Sequence, residues 1–258
     1  LQMSSPDPFF EWYHTPLSLE DCLAGGAMIL LCAIFIPLTV LVSHVMWKAD
    51  KEIIGYRYLI SASFADINCM LQYGLLNGIA ILTKNPLTHS EDGRSAMQIY
   101  IDIIWFSLCL HYPLVAWSRF AAIKTPIWFR SQQRWHSYLI CLGVYLVAII
   151  MVVTTHWSPW FVRFYYEPAA YGLLAEDFVK YLIQGMSAMF LYLHIFCVVV
   201  PLIVYLLMVP CIIGNVIFVA ITIGTGTGKW ATWTICLIFV INSAANCVML
   251  LLFSPSLR

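Results

Sequence analysis

Three ionisable side chains stand inside or at the edge of long apolar runs: Asp66, Asp102 and Arg119. A charge in hydrocarbon costs several kcal/mol, so such residues face a bundle interior and act as polar hubs, ion sites or ligand counter-ions. Asn242, Ser243 and Asn246 add two amides and a hydroxyl near the end of the chain. The two asparagines lie four residues apart, on one helical face, and Asp66 is their natural hydrogen-bond partner. Asp102 precedes Arg119 by 17 residues, about 25 Å along a helix. With Arg119 at one bilayer boundary, Asp102 sits in the opposite third, at pocket depth, beside Trp105. Its other role would be pairing with a nearby cation or interfacial water. His111 fits a hydrogen-bonded core histidine better than a ligand.

Catalytic and metal chemistry have no comparable signature. Neither Cys-x-x-Cys nor His-Glu-x-x-His occurs, and those are the spacings that place metal ligands together. No Ser/His or paired-Asp motif is recognisable, so no enzyme, cofactor or metal is expected. Gly224-Thr-Gly-Thr-Gly-Lys229 superficially suggests a phosphate loop. It is one residue short, continues with Trp230 and follows no strand, so it reads as a plain loop. Of nine cysteines, Cys32, Cys69, Cys109, Cys141, Cys197, Cys211, Cys236 and Cys247 fall in apolar runs and read as packing residues. Cys22 sits where the first run starts. There is no Asn-x-Ser/Thr sequon, so no N-glycosylation is expected.

The elements that must position these residues are membrane helices. The chain has 258 residues, 62% hydrophobic and only 10% charged, against about 25% charged in soluble domains. Mean hydropathy is +0.84, which makes the lipid bilayer the first partner. A net charge of zero gives no reason to expect nucleic acid. Apolar stretches of spanning length fall at about 23–46, 58–82, 96–118, 136–156, 181–205, 208–227 and 231–253, each near the 20 residues that cross about 30 Å of hydrocarbon. No Lys or Arg precedes Lys48, so no cationic n-region marks a cleavable signal peptide. The loop at 83–95 carries Lys84 and Arg94 with Glu91 and Asp92, while Lys48, Lys51 and Arg57, then Arg119, Lys124, Arg130 and Arg134, fall in the first and second alternate loops on either side of it. The positive-inside rule puts these loops inside, residues 1–22 outside and the 254–258 stub inside. The expected fold is an all-α integral membrane protein, a seven-transmembrane helix bundle with an outer N-terminus and inner C-terminus. Gly74-x-x-x-Gly78 offers a close-packing face in the second span.

Several short segments resemble the rhodopsin-like seven-transmembrane G-protein-coupled receptors. Ala65-Asp66-Ile67 is similar to the Ala-Asp-Leu of their second helix. Ser118-Arg119-Phe120 resembles their Asp/Glu-Arg-Tyr, with the arginine kept and the acid and phenol replaced. Asn242-Ser243-x-x-Asn246-Cys247-x-x-Leu250 resembles Asn-Ser-x-x-Asn-Pro-x-x-Tyr. Phe164-Tyr165-Tyr166-Glu167-Pro168 resembles the second outer loop of nematode serpentine chemoreceptors of the class X or class T type.

The resemblance implies a plasma-membrane chemoreceptor for a small extracellular ligand, coupled to a heterotrimeric G protein. It implies Ser118, Arg119, Phe120 and Lys124 at the inner latch, Asp66, Asn242, Ser243 and Asn246 in the polar hub, and Asp102, Trp105, Tyr165, Tyr166 and Glu167 around the pocket. An aromatic belt at the outer interface is the alternative for the three loop residues. The aromatic character favours a small apolar or weakly polar ligand. Several departures stand against the pattern. The sixth-helix Cys-Trp-x-Pro is absent, residues 83–96 and 157–180 lack the usual bridging cysteines, and 181–228 has no charged third inner loop. A deletion or mis-spliced gene model near 200–215 would account for the last. Three alternatives stay open: a transporter or channel with Asp66 and Asp102 as ion sites, an intramembrane hydrolase, and a non-signalling receptor relic.

Overall fold

The first long helix starts because Ser18 and Asp21 cap each other. The Asp21 amide donates to Ser18 Oγ at 3.1 Å and the Ser18 amide donates to Asp21 Oδ2 at 2.8 Å, satisfying two of the amides that a helix start leaves orphaned. In a computed structural model of the chain, residues 9–206 are described, with 230, 233, 234, 236, 237, 240, 241, 243 and 244. A short α1 (Phe10–His14) precedes α2 (Leu19–Ala49). Helix α3 (Gly55–Met70) continues through a π-helical turn (Leu71–Leu76) into α4 (Asn77–Thr83), which Lys84 ends in the left-handed conformation with φ 52°. Helix α5 (Glu91–Lys124) is capped by Ser90, which accepts from the Gly93 amide at 3.0 Å. After α6 (Pro126–Arg130) and α7 (Arg134–His156) the chain folds into a hairpin, then α8 (Phe178–Ile183) and α9 (Met186–Leu206).

Among the described residues four helices, α2, α5, α7 and α9, are each long and apolar enough to cross a bilayer. Their burial is inverted relative to a water-soluble protein. The most apolar window of α7 is 22% buried and that of α9 only 11%, whereas the less apolar α5 is 56% buried. Apolar surface on this scale is left to lipid. The chain is a mostly helical, integral multi-pass membrane protein. Helix α5 is the central post, with α3, α7 and α9 packed around it.

Close helix approach depends on glycine, as the Gly74-x-x-x-Gly78 spacing suggests. A Cβ on Gly78 would meet the Gly25 carbonyl oxygen of α2 at 2.8 Å, and one on Gly74 would meet Cys32 and Val240 side chains. Val240 and Ala244 pack with Cys32 and Met70, so the described part of the last apolar run lies against α2 and the second span.

Three expectations change. The structure is not all-α: β1 (Phe164–Glu167) pairs antiparallel with β2 (Gly172–Ala175), Tyr166 opposite Leu173. Aromatic residues favour a pleated, half-buried surface, and a 3₁₀ turn at Pro168–Ala170 with Tyr171 at φ 59° reverses the chain. The fifth apolar helix begins at Met186 rather than 181, because Gly185 at φ +103° separates it from α8. The first long helix, α2, begins at Leu19, inside the segment expected to precede the bundle. The expected span at 208–227, the Gly224–Lys229 loop, the suspected deletion site beyond 206, and Asn242, Asn246 and the 254–258 stub lie outside the described residues.

Candidate functional site

Because α2, the α3–α4 rod, α5 and α7 alternate in direction, residues far apart in sequence collect at two ends of the bundle. One end gathers Asp102, Gln98, His156, the hairpin and α1. The other gathers Asp50, Arg57, Arg134 and α6.

At the first end Asp102 is 4% exposed. Its Oδ2 accepts from Gln98 Nε2 at 2.7 Å and lies 3.9 Å from His156 Nε2. Gln98, one turn earlier on α5, turns its carbonyl to the hairpin, where Oε1 accepts from the Phe164 amide at 2.9 Å. One buried amide thus links the acid to β1. Trp105 stands one turn below on α5, its ring edge-on to Phe106 at 5.0 Å and Phe190 at 4.9 Å, with His194 at 4.9 Å.

The hairpin sits on this cluster because its residues alternate between faces. Tyr166 is buried, and its hydroxyl donates to the Gln72 carbonyl in the π turn at 2.6 Å. Burial pushes that phenol well above its usual range, so it remains a neutral donor. Tyr165 is half-buried under the Arg94 guanidinium, 5.1 Å from its ring centre. Glu167 turns to the N-terminal segment, accepting from Tyr13 Oη at 2.7 Å and from the Ala169 amide at 3.2 Å. Tyr171 donates to Asp21 Oδ1 at 2.6 Å, and Trp12 Nε1 donates to the same oxygen at 3.0 Å. Asn77 Nδ2 donates to the Tyr171 carbonyl at 3.0 Å. Lys84 Nζ donates to the Trp12 and Thr15 carbonyls, holding α1 over the hairpin.

Asp102, Trp105 and Tyr166 therefore come together, whereas Tyr165 and Glu167 face away from them. Asp66 is 1% exposed in the last turns of α3, and Ser243 is fully buried beside Cys69, one turn from Asp66. Ser118 is buried, with its hydroxyl donating to the Val115 carbonyl at 2.8 Å. Arg119 and Phe120 are exposed, and Lys124 closes α5 with its side chain outside the described residues. His111 is buried: Nδ1 donates to the Ser107 carbonyl at 2.7 Å, and Nε2 lies within hydrogen-bond distance of Ser61 Oγ at 2.8 Å.

Sequence reasoning passed over Gln98, His156 and His194. The i, i+4 spacing of Gln98 and Asp102 was the available signal. Nor does the sequence single out Asp50, which lies in the first basic loop between Lys48 and Lys51. In the fold Asp50 is the centre of the second end. Arg134 donates to its carboxylate, through Nε at 2.9 Å to Oδ2 and through a second nitrogen to Oδ1. Tyr138 Oη donates to Oδ2 at 3.3 Å, and Arg57 Nε lies 3.8 Å from that oxygen while donating to the Asp50 carbonyl at 3.2 Å. Arg57 also donates to the Gln132 carbonyl at 3.1 Å and to Ser137 Oγ at 3.3 Å.

Among the described residues no group of three or more His, Cys, Asp or Glu is placed to hold a metal. The chemistry these clusters support is recognition: hydrogen bonding, aromatic contact and charge. No protein-family model matches the sequence, and no curated protein matches it.

Proposed function

We propose that the chain is a seven-helix receptor of the rhodopsin-like type, a chemosensory receptor for a small extracellular ligand that acts on a heterotrimeric G protein at the plasma membrane. On this reading the crossings are α2, the α3–α4 rod, α5, α7, α9 and two further apolar stretches, 208–227, which lies outside the described residues, and 231–253, which is described only in part. The observation that carries the reading is the Phe164–Gln98–Asp102 chain of hydrogen bonds. It joins the loop on the proposed outer side to a buried acid on the central helix, next to the Trp105, Phe190 and His194 rings. A ligand that engages Asp102 or Trp105 and displaces Gln98 would bind one arrangement of α5 better than another, which is what shifting a pre-existing equilibrium requires. Asp66 and Ser243 lie along the route inward, and Arg119, at the far end of α5, is the coupling contact.

The test begins with topology, by tagging each terminus in intact cells, and continues with G-protein activation by wild type and Arg119→Ala. An outer N-terminus, an inner C-terminus and activation abolished in the variant support the reading. Both termini on one side would refute it. The buried acids Asp66 and Asp102 favour a transporter or channel as the second reading. Ion flux in reconstituted vesicles, lost in Asp66→Asn, would select it.

A further inference from the structure

We infer that α6 and the basic residues at the same end of the bundle form a docking site for anionic phospholipid, with Arg130 holding the headgroup phosphate. The inference does not depend on the receptor reading. Helix α6 joins the ends of α5 and α7, both of spanning length, so it lies where hydrocarbon gives way to water. Its residues point two ways. Phe129 is 5% exposed and stacks on Tyr58 with ring centres 6.2 Å apart, fixing the helix to the bundle. Ile127 is 87% and Trp128 51% exposed, and the Trp128 ring leans edge-on to Trp117 at 6.1 Å. A bulky aliphatic and an indole displayed together at this depth are the apolar half of an interfacial helix.

The charged half is also in place. Arg130, Lys48 and Lys51 are exposed and, among the described residues, pair with no acidic side chain. The cations at the opposite end are engaged within the protein. Lys84 binds backbone carbonyls, Arg163 pairs with Glu176 at 3.1 Å, and Lys180 donates to the Phe161 carbonyl at 3.0 Å. The asymmetry gives one end of the bundle cations with unused donors next to inserted apolar groups. A diester phosphate attached to acyl chains satisfies both, since a guanidinium matches phosphate geometry and juxtamembrane cations attract anionic leaflets.

The experiment uses the full chain in phosphatidylcholine nanodiscs with and without phosphatidylglycerol. Retained lipid is read by native mass spectrometry, and Trp128 insertion by brominated-lipid quenching, as the difference between wild type and Trp128→Phe. The expected result is preferential retention of phosphatidylglycerol, weakened about fivefold in Arg130→Gln, kept in Arg130→Lys and unchanged in Arg163→Gln. Bromolipid should quench Trp128. Equal retention by wild type and Arg130→Gln would overturn the proposal, as would Trp128 quenched by aqueous acrylamide but not by bromolipid. Displacement of the lipid by inorganic phosphate would assign the site to free phosphate instead. An acidic protein that binds this end equally without anionic lipid would assign it to a protein partner. Trp128→Phe keeps an interfacial ring, so the quenching arm stands even if a charge variant folds poorly.

Discussion

Asp50→Asn should be among the most destabilising single-atom changes in this protein. The Asp50 side chain is fully buried and that of Arg57 is 5% exposed, so neither charge can be left to water. The substitution keeps the shape and removes the anion. Arg57 retains neutral acceptors in the Gln132 carbonyl and Ser137 Oγ. Arg134 is 41% exposed and regains water, so its share is the small one of a solvent-exposed pair. Breaking a buried pair from one side costs about 3–5 kcal/mol, and the remaining neutral acceptors put this case near the lower end, about 3 kcal/mol. At about 2–4 °C per kcal/mol for a chain of this length, Tm should fall by roughly 6–12 °C.

The assay is thermal unfolding in nanodiscs by tryptophan fluorescence, at low and high salt. The loss should persist at high salt because a buried pair is poorly screened. A double-mutant cycle with Arg57→Met should show coupling above about 1 kcal/mol. A Tm within about 1 °C of wild type, or a loss that vanishes with salt, would refute the argument that Asp50 is the ionic centre of this end.

Three further outcomes follow from the same geometry. Gly78→Leu should separate α2 from the second span, since even a Cβ would meet the Gly25 carbonyl at 2.8 Å and Ile29 Cγ1 at 2.8 Å; overpacking costs about 1–3 kcal/mol, readable as a lowered Tm, while Gly143→Ala, where nothing lies within 4 Å, should be near neutral. Gln98→Leu removes the side chain that links the hairpin to Asp102 and strands the Phe164 amide, at a cost of about 1–3 kcal/mol; hydrogen exchange should rise across 164–175, and unchanged exchange would refute the link. On the receptor reading, Ser118→Asp adds an acid next to Arg119 and should lower ligand-free G-protein activation, and unchanged basal activity would count against Arg119 as the coupling contact.

The composition and the spacing of apolar runs determined by themselves that this is a helical membrane chain, because a 20-residue apolar stretch has no other stable solvent. The positions of α2, α5 and α7 were legible for that reason, and the Gly74–Gly78 spacing announced a close contact before any partner for it was known. The sequence also marked Asp66, Asp102 and Arg119, since ions are rare in such runs. It did not show that Phe164–Ala175 would close into a hairpin, because a loop's hydrogen bonds depend on what lies beneath it. Here that is Gln98, Asn77 and the Gln72 carbonyl of a π turn. Nor did it single out Asp50, whose neighbours Arg57 and Arg134 approach only when α3 and α7 pack side by side. Local pattern decides which segments enter the membrane. The partners of a buried polar group are decided by helix packing, which brings residues tens of positions apart within 3 Å.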